Sequence, residues 1–494
     1  MLEAYCWPPS VAPGGEVGLH VATEGGRVRV EVARDGLTRD VVWRGEVSAA
    51  PHETPPDASA TGCGWPAAGT IAVGADWRSG YYAVTVTAGD ERVDAFLVVR
   101  PEPGAPGRAP ILLVLSTCTW NAYNDWGGPS LYTGAHQVSF ERPLAPGFLV
   151  KPEPHERKAQ AVPDREALGY FRWAEPRGLS NWSGGAGWWN WERTALRWAE
   201  ANGFQVDVAI QQDLEEVPGL LGDVRLYLSV GHDEYWTWGM REALDAHTAA
   251  GGNAAILSGN TCYWQVRIGE DRCTMTGYKY DVADDPVLGT PDERFLSGAW
   301  VDRRVGRPET SSIGLTFSRG GYSRYGLGVP RASGAFTVWR PEHWVFDGTE
   351  LRYGDAIGLA DAIVGYEVDG CDLTTGPDGR PVPTHADGAP ATLEVLATAP
   401  AQLWSQDQQP SRYAHEPGEL ENVAEAVHGD AWRDHLEEFR YNHAVCGVFT
   451  TPGGGTVFNA GVTDWAYGLR GDDAVLERVT RNILSRLSGA SPPS

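Results

Sequence analysis

The residues with the most chemical content lie in Leu226-Tyr227-Leu228-Ser229-Val230-Gly231-His232-Asp233-Glu234-Tyr235-Trp236. A short apolar run stops at Gly231, and an imidazole and two carboxylates follow at once. A run of this length bounded by turn chemistry reads as a buried strand of a parallel sheet. Ligands of open α/β sheets bind just beyond the carboxyl ends of the strands. His232, Asp233 and Glu234 are therefore placed for acid–base or metal chemistry. The competing reading is structural: Asp233 or Glu234 would stabilise the first turn of a helix over Trp236 to Ala250, through its dipole.

Three further stretches carry unusual polar groups. The first is Thr119-Trp120-Asn121-Ala122-Tyr123-Asn124-Asp125-Trp126-Gly127-Gly128-Pro129-Ser130-Leu131-Tyr132, and the second is Gly259-Asn260-Thr261-Cys262-Tyr263-Trp264. The third is Val364-Gly365-Tyr366-Glu367-Val368-Asp369-Gly370. If the sheet order brings these strand ends together, Tyr123, Tyr132, His232, Glu234 and Asn260 face one crevice. Each has a plainer reading as well. A tyrosine can be an aromatic packing residue with its hydroxyl satisfied, a lone histidine can be structural, and Asn260 can be a turn residue after Gly259.

The elements that must position these groups are legible in outline. Ile111 to Ser116 reads as a strand buried on both faces, Asn190 to Asn202 as a helix ending at Gly203, and Phe204 to Ala209 as a second strand. Leu226 to Val230, a helix over Thr237 to Ala250 closed by Gly251-Gly252, and a strand over Asn253 to Ser258 follow. Strands alternating with helices predict a doubly wound α/β parallel sheet. Residues 270 to 400 lose that rhythm and read as an irregular β-rich insertion. Val445 to Thr450 and Thr456 to Asn459 return as strands, and Asp473 to Leu487 as a closing amphipathic helix.

The first hundred residues differ. Val17 to Ala22, Arg27 to Ala33, Tyr81 to Thr87 and Arg92 to Val99 alternate with period two between turns, which predicts an all-β sandwich. Pro101 to Pro110 reads as a linker. The expected organisation is thus a β-sandwich domain over 1–105 and a catalytic α/β domain over 106–494.

With 494 residues the chain exceeds a single core. Its 61 Gly, 34 Pro and 21 Trp favour loop-rich, β-containing architecture with aromatic-lined pockets. A net charge of −25 argues against nucleic acid or an anionic membrane as partner. The seven cysteines form no Cys-x-x-Cys pair, so neither a zinc ribbon nor a disulfide framework is signalled. Without a signal-peptide pattern or a long apolar run, the expected location is cytoplasmic.

Asn121-Ala122-Tyr123-Asn124 with Ser130-Leu131-Tyr132, then His232-x-Glu234-Tyr235-Trp236, then Ser258-Gly259-Asn260-x-x-Tyr263-Trp264, resembles the large (beta) subunit of N,N-dimethylformamidase and its relatives. The resemblance runs in this order from about residue 110 to the C-terminus. It implies a catalytic domain resembling class I glutamine amidotransferases, although no cysteine nucleophile elbow is apparent here. It also implies a mononuclear Fe(III) held by Tyr123, Tyr132 and Glu234, with Tyr170 as the alternative to Tyr132. Phenolate and carboxylate are hard oxygen donors suited to such an ion. On the same footing His232 and Asn260 would be substrate-facing groups and Glu367 a general base.

The activity so implied is metal-assisted hydrolysis of a small neutral amide to acid and amine, with a homo-oligomer and a small partner subunit both compatible. Two rivals stay open: a hydrolase for another amide on the same scaffold, and a non-catalytic carbohydrate-binding protein suggested by the β-sandwich and the many tryptophans.

Overall fold

A computed structural model describes residues 2–159, 164, 166–326, 332–411 and 417–490. The chain divides into two compact units. The first comprises Met1–His155, Ala174–Val224 and Arg267–Gly277, and the second Glu156–Trp173, Arg225–Val266 and Tyr278–Ser494.

The first unit opens with eight strands: β1 (Glu3–Trp7), β2 (Ser10–Val11), β3 (Glu16–Ala22), β4 (Gly26–Asp35), β5 (Arg39–Ala49), β6 (Ala67–Ala72), β7 (Gly80–Ala88) and β8 (Glu91–Val99). They form one sheet of order β1-β3-β6 and another of order β2-β8-β7-β4-β5. The period-two pattern explains their faces. Val17, Leu19 and Val21 of β3 share one apolar core with Val28, Val30 and Val32 of β4 and with Val84 and Val86 of β7. Alternate residues such as Arg27 and Arg29 are exposed. Each buried valine contributes on the order of 2 kcal/mol of burial free energy.

The same unit continues through β9 (Ile111–Leu115), α1 (Thr117–Tyr123), α2 (Glu192–Ala201), β10 (Val206–Ile210) and α3 (Gln211–Glu216). Strands β9 and β10 pair in parallel, Ile111 opposite Val206 and Leu115 opposite Ile210. The proline-rich stretch read as a linker is tied down on this unit. Ala109 donates its backbone N–H to Asp207 at 3.0 Å, and Gly104 donates to Asp223 at 3.0 Å. The end of β4 is fastened too: Arg34 meets Glu200 of α2 at 2.6 Å, and Asp35 accepts from Trp188 at 3.0 Å and Arg193 at 2.9 Å.

In the second unit β11 (Leu226–His232) pairs in parallel with β12 (Asn253–Gly259), between which runs α4 (Trp238–Ala249). Later come β13 (Thr316–Tyr322), β14 (Phe336–Val338), β15 (Ala356–Ile357), β16 (Glu367–Gly370), β17 (Glu394–Ala401), β18 (Asn442–Thr450), β19 (Thr456–Asn459) and α5 (Ala474–Ser488). The strand order is β11-β12-β19-β18-β17-β14-β15. The first three run parallel, and the remaining neighbours are antiparallel. Residues 270–400, read as an insertion, thus supply β14, β15 and β17 to this sheet; 327–331 lie outside the described residues.

Two sequence expectations need adjustment. Strand β11 runs two residues past the apolar run, through His232, and Gly231 within that extension adopts φ 87°, a conformation open to glycine. The cap of α4 is Thr237, whose hydroxyl accepts from the N–H of Met240 at 3.1 Å, so neither Asp233 nor Glu234 caps it. Asp233 instead accepts from Ser229 Oγ at 2.6 Å and from Trp236 Nε1 at 3.0 Å, which ties the turn back onto its own strand. All seven cysteines are free. Among the described residues no helix is long and apolar enough to cross a membrane.

Candidate functional site

Four predicted side chains converge in the second unit, all buried: His232, Glu234, Asn260 and Glu367. His232 Nε2 lies 2.6 Å from Glu367 Oε2 and 3.3 Å from Glu234 Oε2. Asn260 Nδ2 is 3.4 Å from both His232 Nε2 and Glu367 Oε2. A proton on His232 Nε2 serves the short contact to Glu367, so the Asn260 amide donates to the carboxylate rather than to the ring. Both of these contacts of Asn260 are long, which leaves its N–H groups able to turn to a carbonyl oxygen.

Backbone geometry explains how the cluster is held. His232 ends β11, and Glu234 two residues on points to the same side. At the end of β12, a Cβ on Gly259 would meet Glu367 O at 2.7 Å and Thr463 N at 2.6 Å, so only glycine admits β16 this close. The next residues turn sharply: Asn260 (φ 50°) and Cys262 (φ 56°) both adopt left-handed conformations rare for such side chains. Two aspartates hold that turn. Asp369 accepts from the N–H of Thr261 at 3.1 Å, and the carbonyl of Asp233 accepts from Cys262 N at 2.8 Å.

The Glu367 carboxyl is held below its ordinary range. Burial opposes ionisation, but the charge on His232 and hydrogen bonds from His232, Tyr366 and Asn260 outweigh it. Glu367 therefore stays ionised and anchors the imidazole. Asp369 goes the other way: burial pushes it up to about 8, against the backbone bond from Thr261.

In the first unit Tyr123, at the end of α1, and Tyr132 stand together with ring centroids 4.2 Å apart. Trp182 covers both, at 6.2 and 5.4 Å. Tyr123 is seated on Gly185, where a Cβ would come within 2.7 Å of the ring. Asn124 stitches the loop between them: its Oδ1 accepts from Trp126 and Ala145, and its Nδ2 donates to Pro143 O at 2.9 Å. Tyr170 belongs to the second unit, buried against Trp173 at 5.5 Å.

Sequence reasoning passed over Asp369. The signal was there: Glu367 and Asp369 are two carboxylates at i and i+2 of one strand, hence on one face. It also passed over Lys279, a buried ammonium among the rings of Tyr235, Trp264 and Tyr280, with φ 55°. Elsewhere His428, His435 and Glu438 bring their ligand atoms within 4.8 Å. Their imidazoles stack at 3.8 Å and 7°, which sends the nitrogen lone pairs along parallel planes rather than onto one ion. That group is a hydrogen-bonded cluster around Glu438.

Burial of acids in both units has a measurable consequence. Asp213 is raised to about 6, Glu309 to about 7 and Asp369 to about 8, each by burial first. Each retains in the folded state a proton that the unfolded chain has released above its ordinary pKa. Their stability contribution is complete below about pH 4 and is lost as pH rises through 6 to 8. The melting temperature should therefore fall by several degrees between pH 5.5 and 8.5. Asp369→Asn should flatten that slope in differential scanning calorimetry; an unchanged slope would contradict the assignment.

The end of parallel strand β11 in this mixed α/β chain thus carries a buried imidazole within reach of two carboxylates. The chain belongs to the family described as N,N-dimethylformamidase beta subunit-like, C-terminal, whose match covers residues 28–479. It is 25% identical over 346 residues to an N,N-dimethylformamidase beta subunit of Alcaligenes sp, across 64% of this chain and 43% of that protein. A second such beta subunit, from Paracoccus aminophilus, is 24% identical over 322 residues, across 61% of this chain and 38% of the relative. The matched regions thus span about four-tenths of each relative's length.

Proposed function

We propose that this chain hydrolyses a small, neutral, N-substituted amide to acid and amine, as the names of its relatives suggest. The observation that carries this reading is the buried His232–Glu367 pair, flanked by Glu234 and Asn260 on the motifs at the ends of β11 and β12. We propose further that Tyr123, Tyr132 and Glu234 hold a mononuclear Fe(III). The donor chemistry fits: two adjacent phenols and a buried carboxylate are hard oxygen ligands whose three negative charges would balance a trivalent ion. When bound, such an ion supplies Lewis acidity to the amide carbonyl and lowers the pKa of water.

The chain's own residues supply the rest. Water adds to the amide carbon, and the oxygen that gains charge accepts a hydrogen bond from Asn260 Nδ2. His232, oriented by ionised Glu367, passes a proton to the departing nitrogen as the C–N bond breaks. The proton released by the attacking water restores the imidazolium, so acid and neutral amine leave in balance. The aromatic side chains of Tyr235, Trp236, Tyr263 and Trp264, all buried, suit an apolar substrate.

The fold assignment belongs to the same proposal. The parallel strands β11, β12 and β19 support a glutamine amidotransferase-like sheet, and the shared core of the two N-terminal sheets supports a sandwich. A cytoplasmic location and association with a small subunit are part of this reading.

Metal analysis with a visible spectrum tests it, because phenolate bound to Fe(III) gives a charge-transfer band. Tyr→Phe removes one hydroxyl and little volume, separating metal binding from packing. Tyr123→Phe and Tyr132→Phe should each lose or shift the band and most turnover, whereas Tyr170→Phe should do neither. A colourless wild-type protein without iron that still cleaves formamides would overturn the metal assignment. Bleaching by Tyr170→Phe, with Tyr132→Phe unaffected, would move the second ligand to Tyr170.

A further inference from the structure

The first unit contains a small cavity that the proposed chemistry does not use. It lies among Tyr5, Phe96 and Trp120, and has a volume of about 40 Å3. That is room for roughly three waters or one molecule of a few non-hydrogen atoms. Beside the guanidinium of Arg142, three neutral polar side chains line this largely apolar space: Thr117, Asn121 and Gln212, exposed by only 5%, 2% and 3%. Thr117 Oγ1, Asn121 Nδ2 and Gln212 Oε1 each lack a hydrogen-bond partner in the protein. Buried polar atoms are ordinarily satisfied, so three convergent exceptions in one cavity mark a built site.

Arg142 decides the charge of what fits. Its Nη2 donates to Asn121 Oδ1 at 3.2 Å, which settles the amide's orientation and leaves Nδ2 as the outstanding donor. The other guanidinium N–H groups go to oxygens of Ser139, Asn124, Trp126 and Asn121. Burial lowers Arg142 to about 10, so it remains a cation at neutral pH. An ammonium ligand would be repelled by it. A carboxylate would find no guanidinium N–H left to receive, since all of them go to oxygens of the protein.

We propose that this cavity binds a small neutral amide carrying an N–H, of the size of formamide or N-methylformamide. Its carbonyl accepts from Asn121 Nδ2, its N–H donates to Gln212 Oε1, and the Thr117 hydroxyl completes either bond. The site is separate from the hydrolytic reading and stands or falls without it.

Crystals of the full chain soaked in formamide, N-methylformamide or N,N-dimethylformamide give the direct test. The first two should appear in the cavity, and the third, lacking an N–H, at much lower occupancy. In solution, formamide binding followed by carbon-13 line broadening should weaken about tenfold in Gln212→Met and in Thr117→Val, both close in shape to the residues replaced. Ordered water alone in the cavity at saturating formamide would overturn the proposal. So would equal occupancy by N,N-dimethylformamide, or formamide binding unchanged in both variants. Should Gln212→Met fail to fold, Thr117→Val and the three soaks still decide.

Discussion

Glu234→Gln is expected to reduce bound iron to below about a tenth of wild type and hydrolysis by at least about 10³-fold, because an anionic ligand becomes a weak neutral one. The substitution keeps the shape of the side chain, which is 2% exposed and 3.3 Å from His232 Nε2, so the fold should survive. Near-native circular dichroism and a cooperative melt would establish that. Iron content equal to wild type in a folded variant would remove Glu234 from the ligand set. If iron were lost while hydrolysis persisted, the metal would have no part in the reaction.

The second large effect belongs to the proton path. His232→Gln should lower kcat by about 10² to 10⁴, the range for loss of a positioned general acid. Iron content and the visible band should be unchanged, since His232 is not among the proposed ligands. Glu367→Gln should be milder in kcat but distinctive in pH. Glu367 is ionised 2.6 Å from His232 Nε2, so its removal takes away the charge that favours the imidazolium. The alkaline limb of the kcat profile should move to lower pH. A His232→Gln enzyme with wild-type kcat, or a Glu367→Gln profile of unchanged shape, would show that this pair transfers no proton in the reaction.

What the sequence made legible was local. The period-two valines of β3, β4 and β7, the apolar run of β9 and the helix over Ala474–Ser488 are each visible because burial repeats at the element's own period. The i and i+2 spacing of His232 and Glu234 at the end of such a run was equally visible. Harder to read was the capping of α4. Asp233 and Glu234 both suit a helix start by type, yet Thr237 took that place, because Asp233 was already committed to Ser229 and Trp236.

Within residues 270–400 the individual strands are hard to read for a related reason. They are short and punctuated by glycine and proline, and β14, with three residues, carries too little periodicity to announce itself. It becomes a strand because β17 offers it an edge, a long-range pairing that no local pattern encodes.

The sequence alone determined the donor types, their spacing and the strand ends on which they sit, since these follow from residue chemistry and from periods of a few residues. Only the tertiary structure decided that Glu367, 107 positions from Asn260, would reach its amide, and that Asp369 would hold the strained turn beneath it. That partnership depends on a backbone approach which only Gly259 permits. A contact of that sequence separation is set by the packing of β16 against the end of β12, where steric fit and the need to pair buried polar groups select the partner.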